Sequence, residues 1–135
     1  MICATSEVPR YRTRFSNGKH DGAADATAEK GGAEAGFRPH DLLEAALATC
    51  VNMSVRMFAD RHSMPLGSVT ASVRLDRSGA AEAVFRYTVA LEGDLTADQR
   101  RELLRAAEAC PVRRTLSRGF AFECAAEDPR DLEAV

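Results

Sequence analysis

The sequence lacks an apolar run long enough to cross a membrane. Its most apolar region, 42–58, is interrupted by Glu44, Asn52 and Arg56, whereas a bilayer span needs about 20 predominantly apolar residues. The sequence also lacks a basic excess, because 18 Lys and Arg residues are outnumbered by 20 Asp and Glu residues and the net charge is −2. These absences argue against a membrane partner and against a nucleic-acid partner, which needs clustered positive charge.

The first residues, Met1–Thr5, contain neither the charged segment nor the apolar segment of a secretory signal peptide. We therefore expect a cytoplasmic protein. Hydrophobic residues make up 45% of the 135 residues, which is enough apolar material for the core of one globular domain. We expect a single domain over 1–135, in which Met1–Pro9 and Glu127–Val135 are frayed.

The four cysteines form no CxxC pair and no Cys/His pair at zinc-finger spacing. They are Cys3, Cys50, Cys110 and Cys124. This spacing predicts no metal site, and a disulfide framework is not typical of a cytosolic chain of this length. We expect no bound cofactor. Cytosolic cysteines that carry function are usually reactive ones, so their surroundings decide which of them matter.

Hydrophobic periodicity divides the chain into strands and helices. Alternation of apolar and polar residues predicts strands at 8–16, 19–25, 67–78, 82–93 and 119–125. Apolar residues at three- and four-residue steps predict a long, largely buried helix from Pro39 to about Arg61. Thr96, followed three residues later by Gln99, is typical of a capping box that begins a second helix. With a short helix at 111–118, the order β-β-α-β-β-α-α-β indicates an α+β fold with antiparallel hairpins.

The four cysteines differ in their predicted surroundings. Cys50 lies on the apolar face of the long helix, where a cysteine often acts as a small hydrophobe. Cys110 precedes Pro111, which favours the first position of a helix, so Cys110 is the predicted N-cap. The free N–H groups there favour a thiolate. We expect Cys124 in the core and Cys3 in the frayed terminus. Two cysteines on two helices suit a thiol peroxidase but also suit simple packing.

Two segments around these cysteines resemble the signatures of one family. The segment Gly36–Cys50, GFRPHDLLEAALATC, places a Pro eleven residues before a helical Cys, and the second segment is 107–112, AEACPV. Both are similar to motifs of the OsmC/Ohr family of osmotically inducible and organic hydroperoxide resistance proteins. The continuation Met53–Arg61 resembles an OsmC-like branch. The resemblance covers roughly residues 11–125.

The resemblance implies both a fold and a reaction. The implied fold is an antiparallel sheet wrapped around a long central helix in an intertwined homodimer, with active sites at the subunit interface. The implied reaction is a peroxidase cycle on organic hydroperoxides, in which Cys50 attacks the peroxide and Cys110 resolves the product as a disulfide. An external dithiol reductant of lipoyl type completes the cycle. The apolar residues available near Cys50 to line its pocket are Leu47, Met53, Met57 and Phe58.

The chain departs from the family in the residues that flank the attacking cysteine. In the Ohr and typical OsmC branches, an Arg and a Glu lie beside it. Here His40 stands at the position of the Glu, followed by the acidic Asp41, and Asn17-Gly18-Lys19 stands roughly where a Gly-Gly-Arg turn supplies the Arg. Because Cys50 lies too deep in its helix for the helix dipole to act, a cation must favour its thiolate. The candidate cations are Arg12, Arg14, Lys19 and Arg56.

Two other functions stay open at this level. One is a non-catalytic thiol-sensing or thiol-binding protein on the same fold, which the missing Arg/Glu pair favours. The other is a hot-dog thioesterase, whose sheet also wraps around a long helix at this chain length, although that fold explains neither Cys50 nor the Cys-Pro-Val motif. Peroxide consumption with a dithiol donor separates the three.

Overall fold

The computed structural model describes residues 1–8, 10–79 and 82–124. Its first three strands, β1 (Cys3–Ser6), β2 (Thr13–Ser16) and β3 (Asp21–Ala24), form an antiparallel sheet in that order. Gly18 turns the chain between β2 and β3 with a φ of 84°, a left-handed conformation that glycine adopts without a steric cost. The predicted hairpin is confirmed, although its strands are shorter than the alternation indicated.

The strand β1 corrects the expectation that Met1–Pro9 is frayed. Its four residues pair in register with β2, from Cys3 opposite Ser16 to Ser6 opposite Thr13. All four residues of β1 are exposed. The strand is therefore held by backbone hydrogen bonds, and its sequence shows no apolar alternation from which it could be predicted. The other end predicted to fray, Glu127–Val135, lies outside the described residues.

The long helix α1 spans Pro39–Arg61, as predicted. It begins where Pro39 occupies the first turn and the Asp41 carboxylate accepts a 3.0 Å hydrogen bond from the backbone N–H of Arg38. One stripe of α1, at steps of four residues, is buried: Leu47, Val51, Val55 and Ala59. The expectation of a largely buried helix is wrong for the single chain, because Met53 and Met57 on other faces are exposed, as is Leu43 at the start of the stripe.

The hairpin of β4 (Leu66–Asp76) and β5 (Val84–Gly93) follows α1. The two strands confirm the predicted alternation, since every second side chain is half-buried and packs against the core while its neighbours are exposed. The inward side chains include Val69, Ala71, Val73, Phe85, Tyr87, Val89 and Leu91. Among the described residues the two sheets share no strand pairing, so the chain carries two small sheets where the resemblance implied one.

Polar side chains of α1 fasten the helix to β4. Three links join them: Glu44 accepts from the Leu75 N–H at 2.7 Å, Asn52 donates to the Val69 carbonyl at 2.7 Å, and Arg56 donates to the carbonyls of Leu66 and Gly67 at 2.8 Å each. Because the helix positions rise as the strand positions fall, α1 and β4 run in opposite directions. These links set the rotation and the height of α1 on the hairpin.

Although Glu44, Asn52 and Arg56 interrupt its apolar run, α1 as a whole is long and apolar enough, by length and composition alone, to cross a membrane. One such helix is weak grounds for a membrane span, because the core helix of a globular protein passes the same test. Here Glu44, Asn52 and Arg56 bind the backbone of β4, which is a packing arrangement inside the protein. We interpret α1 as a core helix.

The helices α2 (Ala97–Glu108) and α3 (Pro111–Leu116) complete the described fold. The predicted capping box is confirmed, because the Thr96 hydroxyl accepts from the Gln99 N–H at 3.2 Å and the Gln99 side chain accepts from the Thr96 N–H at 2.9 Å. Leu103 and Ala107 of α2 are buried in the same core cluster as the stripe of α1. The α+β class is therefore confirmed.

The predicted last strand, 119–125, is wrong over its described part. Residues 119–124 form neither helix nor strand. Phe122 is 93% exposed and Cys124 is exposed as well, so the prediction of Cys124 in the core is also wrong. Alternation of apolar and polar residues gives a segment one apolar face, but a β-strand must also pair with the edge of another strand. Residues 119–124 pair with no described strand.

Candidate functional site

Cys50 and Cys110 meet at one end of the hydrophobic core. Cys110 is 0% exposed and belongs to the core cluster, and Cys50 is half-buried and packs against that cluster. Both are free thiols. The pKa of Cys110 is raised, first by burial and second by a hydrogen bond with the Cys50 side chain. The fold therefore brings together the two cysteines singled out from the sequence.

Cys110 occupies the predicted N-cap of α3. Its extended backbone, with φ −51° and ψ 128°, leads into Pro111 at the start of that helix. The prediction that this position favours a thiolate is wrong, however. The backbone N–H groups of Arg113 and Val112 do lower the pKa, but burial of the thiol has the larger effect and the net shift is upward. The net effect of these surroundings on the pKa of Cys110 favours its protonated form.

Asp41 and His40 lie at the start of α1 rather than beside Cys50. Asp41 is nine residues before Cys50, which is about 13 Å along a helix axis. Its carboxylate accepts hydrogen bonds from the Arg38 guanidinium, at 2.9 Å from Nε, and this bond is the main reason that the Asp41 pKa is lowered. Both residues belong to the cap of α1, and His40 is exposed there.

Three of the four candidate cations, Arg12, Arg14 and Arg56, lie near acidic side chains elsewhere in the chain. Arg56 holds β4 as described above and lies 3.9 Å from Asp60. Arg14 stands on β2, where its guanidinium lies 4.0 Å from the carboxylates of Glu7 and Asp21. Arg12 pairs with Glu7 at 3.2 Å, and Lys19 follows Gly18 in the β2–β3 turn. Across residues 1–8, 10–79 and 82–124, no cationic side chain hydrogen-bonds to Cys50.

A cleft of about 630 Å³ opens between α1 and the α2–α3 segment. Its lining includes Ser54, one turn after Cys50, and Pro111, directly after Cys110, but neither thiol. The full lining is Ser54, Met57, Phe58, Arg61, Glu102, Arg105, Ala106, Ala109 and Pro111. Of the predicted apolar lining, Met57 and Phe58 are in the cleft. Leu47 is instead buried in the core, and Met53 borders a separate shallow hollow with Asn52 and Ala71.

A second hollow, of about 760 Å³, lies between the N-terminal sheet and the first half of α1. It is lined mainly by apolar side chains from both, including Ile2, Tyr11, Phe15, Leu42 and Ala46. Sequence reasoning missed it because one wall comes from the β1 region, which carries no hydrophobic pattern.

Asp25 is a further residue that sequence reasoning missed. It is only 3% exposed, and its carboxylate accepts backbone N–H bonds from Ala35 at 3.0 Å, Ala26 at 2.7 Å and Ala33 at 3.1 Å. These bonds, that of Ala35 first, lower its pKa. Asp25 therefore closes the loop that leads from β3 to α1. An acidic residue at the end of a strand before a Gly-rich loop was the available signal.

Comparisons with known proteins agree on one family. A family model described as OsmC-like protein matches residues 31–125, which is more than half of the chain. An OsmC-like protein of Mycoplasma pneumoniae has a similar structure, with a TM-score of 0.72 and 17% identity over 86% of this chain and 85% of that chain. A sequence search of curated proteins found no match.

Two organic hydroperoxide resistance proteins share the fold as well. That of Legionella pneumophila is 20% identical, with a TM-score of 0.60, over 87% of this chain and 89% of that chain. OhrB of Bacillus subtilis is also 20% identical, with a TM-score of 0.59, over 87% of this chain and 89% of that chain. At this level of identity the likeness carries the fold, and the chemistry must be argued from the chain's own residues.

Proposed function

Because the chain belongs to the OsmC-like protein family, we propose that it is a thiol-dependent peroxidase that reduces organic hydroperoxides with Cys50 and Cys110. The observation that carries the proposal is the contact between these two free thiols, of which Cys50 is half-buried and Cys110 is buried. The names of the Legionella and Bacillus relatives, organic hydroperoxide resistance proteins, support the same reaction class. We propose a cytoplasmic location, where thiols are kept reduced.

The first step oxidises Cys50. Its thiolate attacks one oxygen of the hydroperoxide, so that an S–O bond forms while the O–O bond breaks. The bonding electron pair leaves on the other oxygen, which takes up a proton and departs as the alcohol. Cys50 has then lost two electrons and is a sulfenic acid. The half-buried position of Cys50, in contrast to the buried Cys110, suits an attacking thiol that substrate must reach.

The second step joins Cys50 to Cys110. The Cys110 sulfur attacks the sulfenic sulfur and displaces hydroxide, which leaves as water after it takes the Cys110 proton. The raised pKa of Cys110 keeps that proton on the thiol until the step occurs. An external dithiol then reduces the disulfide, supplying two electrons and two protons and ending as a disulfide itself. We propose a lipoyl-type dithiol for this role.

We further propose that the working protein is a homodimer. The exposed side chains of Leu43 and Met53 on α1 and the apolar hollow against the N-terminal sheet support this, since a chain of 135 residues gains stability by covering such surface. A second copy would also bring cationic side chains from another chain to Cys50. Such a side chain would supply the cation for Cys50 that the described residues of the single chain do not.

A second candidate is a thiol sensor that is oxidised once and not turned over. The same lack of a bonded cation favours it, because an unassisted thiol reacts slowly with peroxides. Turnover separates the two candidates. The protein is incubated with a dithiol donor and, in turn, cumene hydroperoxide, a fatty-acid hydroperoxide and hydrogen peroxide, and consumption is followed over many equivalents.

Steady consumption of the organic hydroperoxides supports the peroxidase. We expect hydrogen peroxide to be the slowest substrate, because each buried CH₂ of an alkyl group contributes about 0.8 kcal/mol in an apolar cleft. One equivalent consumed and no more would support the sensor. Hydrolysis of an acyl thioester without peroxide consumption would refute both. Equal rates for hydrogen peroxide would contradict the role of the apolar cleft.

A further inference from the structure

We propose that Arg113 is a positioning residue for the disulfide step, because its side chain holds the corner of the chain from which Cys110 faces Cys50. The corner consists of Ala109 and Cys110, which join the end of α2 to the start of α3. The role rests on the peroxidase cycle proposed above, in which Cys110 attacks the oxidised Cys50. Arg113 lies directly after the AEACPV segment and is therefore outside the motifs that revealed the two cysteines.

A hydrogen bond across the corner joins α3 back to α2. The Arg113 guanidinium, in the first turn of α3, donates from Nη1 to the Glu108 carbonyl at 2.9 Å. Glu108 is the last residue of α2, and carbonyls at the C-terminus of a helix lack partners within that helix. An arginine near the end of a helix can satisfy such a carbonyl. One side chain therefore closes the corner.

Apart from this bond, the orientation of α3 depends on weak constraints. Pro111 has no backbone N–H and cannot continue the hydrogen bonds of α2 into α3. The six residues of α3 include no buried side chain, and the helix meets the core through the half-buried Val112 and Leu116. The bond from Arg113 therefore limits how far α3 can turn away from α2, and the Cys110 thiol turns with it.

Cys50 cannot compensate for a misplaced Cys110. Its helix, α1, is fastened to β4 on either side of Cys50, through Glu44 and Asn52. The approach of the two sulfurs therefore depends on the α2–α3 corner. A corner that keeps Cys110 in contact with Cys50 leaves only a short movement of α3 before an S–S bond can form, and groups that are already in position react faster.

The backbone of Arg113 also acts on the Cys110 thiol. Burial and the Cys50 side chain raise the pKa of Cys110, whereas the N–H groups of Arg113 and Val112 lower it. Neither N–H completes a capping hydrogen bond to the sulfur of the free thiol. In the disulfide step the Cys110 sulfur loses its proton, and hydrogen bonding to the charged form favours that loss. The same corner sets the distance of these N–H groups from the sulfur.

A simpler account treats Arg113 as a charge that stabilises the C-terminus of α2. That account predicts a change in stability and no selective effect on one chemical step. Arg114 offers the comparison, because it is also exposed on α3 and its side chain makes no hydrogen bond or ion pair with the described residues. The two arginines share a charge and a helix, and they differ in the bond to Glu108.

The test compares Arg113→Met with Arg114→Met in a single turnover. Methionine keeps an apolar stem and removes the guanidinium donors. One equivalent of cumene hydroperoxide is added, and mass spectrometry follows both the Cys50 sulfenic acid, trapped with dimedone, and the disulfide between residues 50 and 110. In Arg113→Met, Cys50 should be oxidised at the parent rate, while the disulfide forms roughly fivefold more slowly, as for the loss of one exposed hydrogen bond.

Two further variants check that the bond, and not the charge, carries this effect. Arg114→Met loses the same charge from α3 but no bond, so both steps should keep the parent rates. Arg113→Lys keeps an N–H donor and should form the disulfide faster than Arg113→Met. The positioning role would be overturned by an equal loss in both steps of Arg113→Met, by an equally slow disulfide step in Arg114→Met, or by an unchanged disulfide rate in Arg113→Met.

An oxidant other than a peroxide separates this role from the proposed function. Diamide, an azo compound, takes up two electrons and two protons as two thiols become a disulfide, so it needs no O–O bond. It should form the disulfide between residues 50 and 110 more slowly in Arg113→Met than in Arg114→Met. If this difference is found but no hydroperoxide is consumed, the peroxidase proposal fails while the positioning role stands. If hydroperoxide is consumed but the two variants do not differ with diamide, the positioning role fails alone.

Discussion

The thiol of Cys110 is fully buried and lies against Cys50, whose side chain is half-buried. The two sulfurs therefore differ in access although they are neighbours. The accessible one can meet a substrate, while the buried one can meet only its neighbour. On this basis we propose that Cys50 attacks and Cys110 resolves, and the predictions that follow rest on these proposed roles.

Replacing each cysteine should stop the reaction at a different stage. Cys50→Ser should abolish reaction with hydroperoxide, because a hydroxyl is not a useful nucleophile for the O–O bond. Cys110→Ser should permit one attack and then leave Cys50 as a sulfenic acid that over-oxidises. Mass spectrometry after one equivalent of hydroperoxide checks this, and the parent protein should contain a disulfide between residues 50 and 110. A disulfide between Cys50 and Cys124 would show that Cys110 is not the resolving cysteine. The controls are Cys3→Ser and Cys124→Ser, which should change turnover little.

Alkylation should rank the thiols by access and by proton affinity. Exposed Cys3 and Cys124 should react first with iodoacetamide, and Cys110 last, with a pH midpoint above the ordinary thiol value because burial raises its pKa. Since the unfolded chain gives up this proton at a lower pH than the folded one, the contribution of Cys110 to stability should fall as the pH rises above the ordinary thiol pKa. A Cys110 as reactive as Cys3 at pH 7 would contradict the burial.

Arg56 should matter for stability and not for reaction with peroxide. Arg56→Met removes two charged hydrogen bonds to the carbonyls of Leu66 and Gly67, so the free energy of unfolding should fall by roughly 1–3 kcal/mol. Urea denaturation measures it, and Arg74→Met, an exposed change on β4, is the matched control. The single-turnover rate with cumene hydroperoxide should be unchanged. A large fall in that rate without a loss of stability would show instead that Arg56 assists Cys50.

Asp25 should make the stability of the protein fall in acid. Its pKa is lower in the folded chain, chiefly through the N–H of Ala35, so the unfolded chain binds the proton more readily. Its contribution is fully present above the unfolded value, 3.8 in the reference state, and is lost as the pH falls below that value through the folded pKa. Asp25→Asn should flatten the part of the stability profile that lies below the reference value of 3.8. An unchanged slope would contradict it, and Glu29→Gln is the exposed control.

The assembly should be twice the mass of the chain. Light scattering at micromolar concentration should give a dimer, and Leu43→Asp, which places a charge on the exposed apolar face of α1, should shift it to monomer. Thr70→Asp, on the exposed face of β4, should leave the dimer intact. A parent protein that runs as a monomer would contradict the proposal.

Local rules carried most of the sequence prediction. The length of α1, the capping box at Thr96 and the N-cap position of Cys110 all follow from a few neighbouring residues, and each is confirmed. The hairpin β4–β5 is equally predictable from the sequence, because the alternation of apolar and polar residues extends along two strands of ten residues or more. The OsmC-like fold then followed from two short motifs.

Features that depend on distant partners could not be predicted. The strand β1 has no apolar alternation, so only its pairing with β2 reveals it. The motif predicts Asp41 as a residue that supports Cys50, whereas its carboxylate accepts a hydrogen bond from Arg38 in the same helix cap. Burial reversed the effect that the helix end alone would have had on Cys110. Arg61 and Arg105 lie 44 positions apart, and only the packing of α1 and α2 brings them to one cleft.

In the redox cycle proposed above, the two helices that carry the thiols would be held unequally, because α1 is fastened to β4. Cys50 lies between the tethers of Glu44 and Asn52, so its helix can neither rotate nor slide without breaking them. Cys110 stands at the head of a six-residue helix that has no buried side chain of its own. When the two sulfurs approach each other to form a disulfide, we therefore expect α3 to move and α1 to stay in place. Its amide signals in an NMR spectrum should report the oxidation state, while those of α1 stay nearly still.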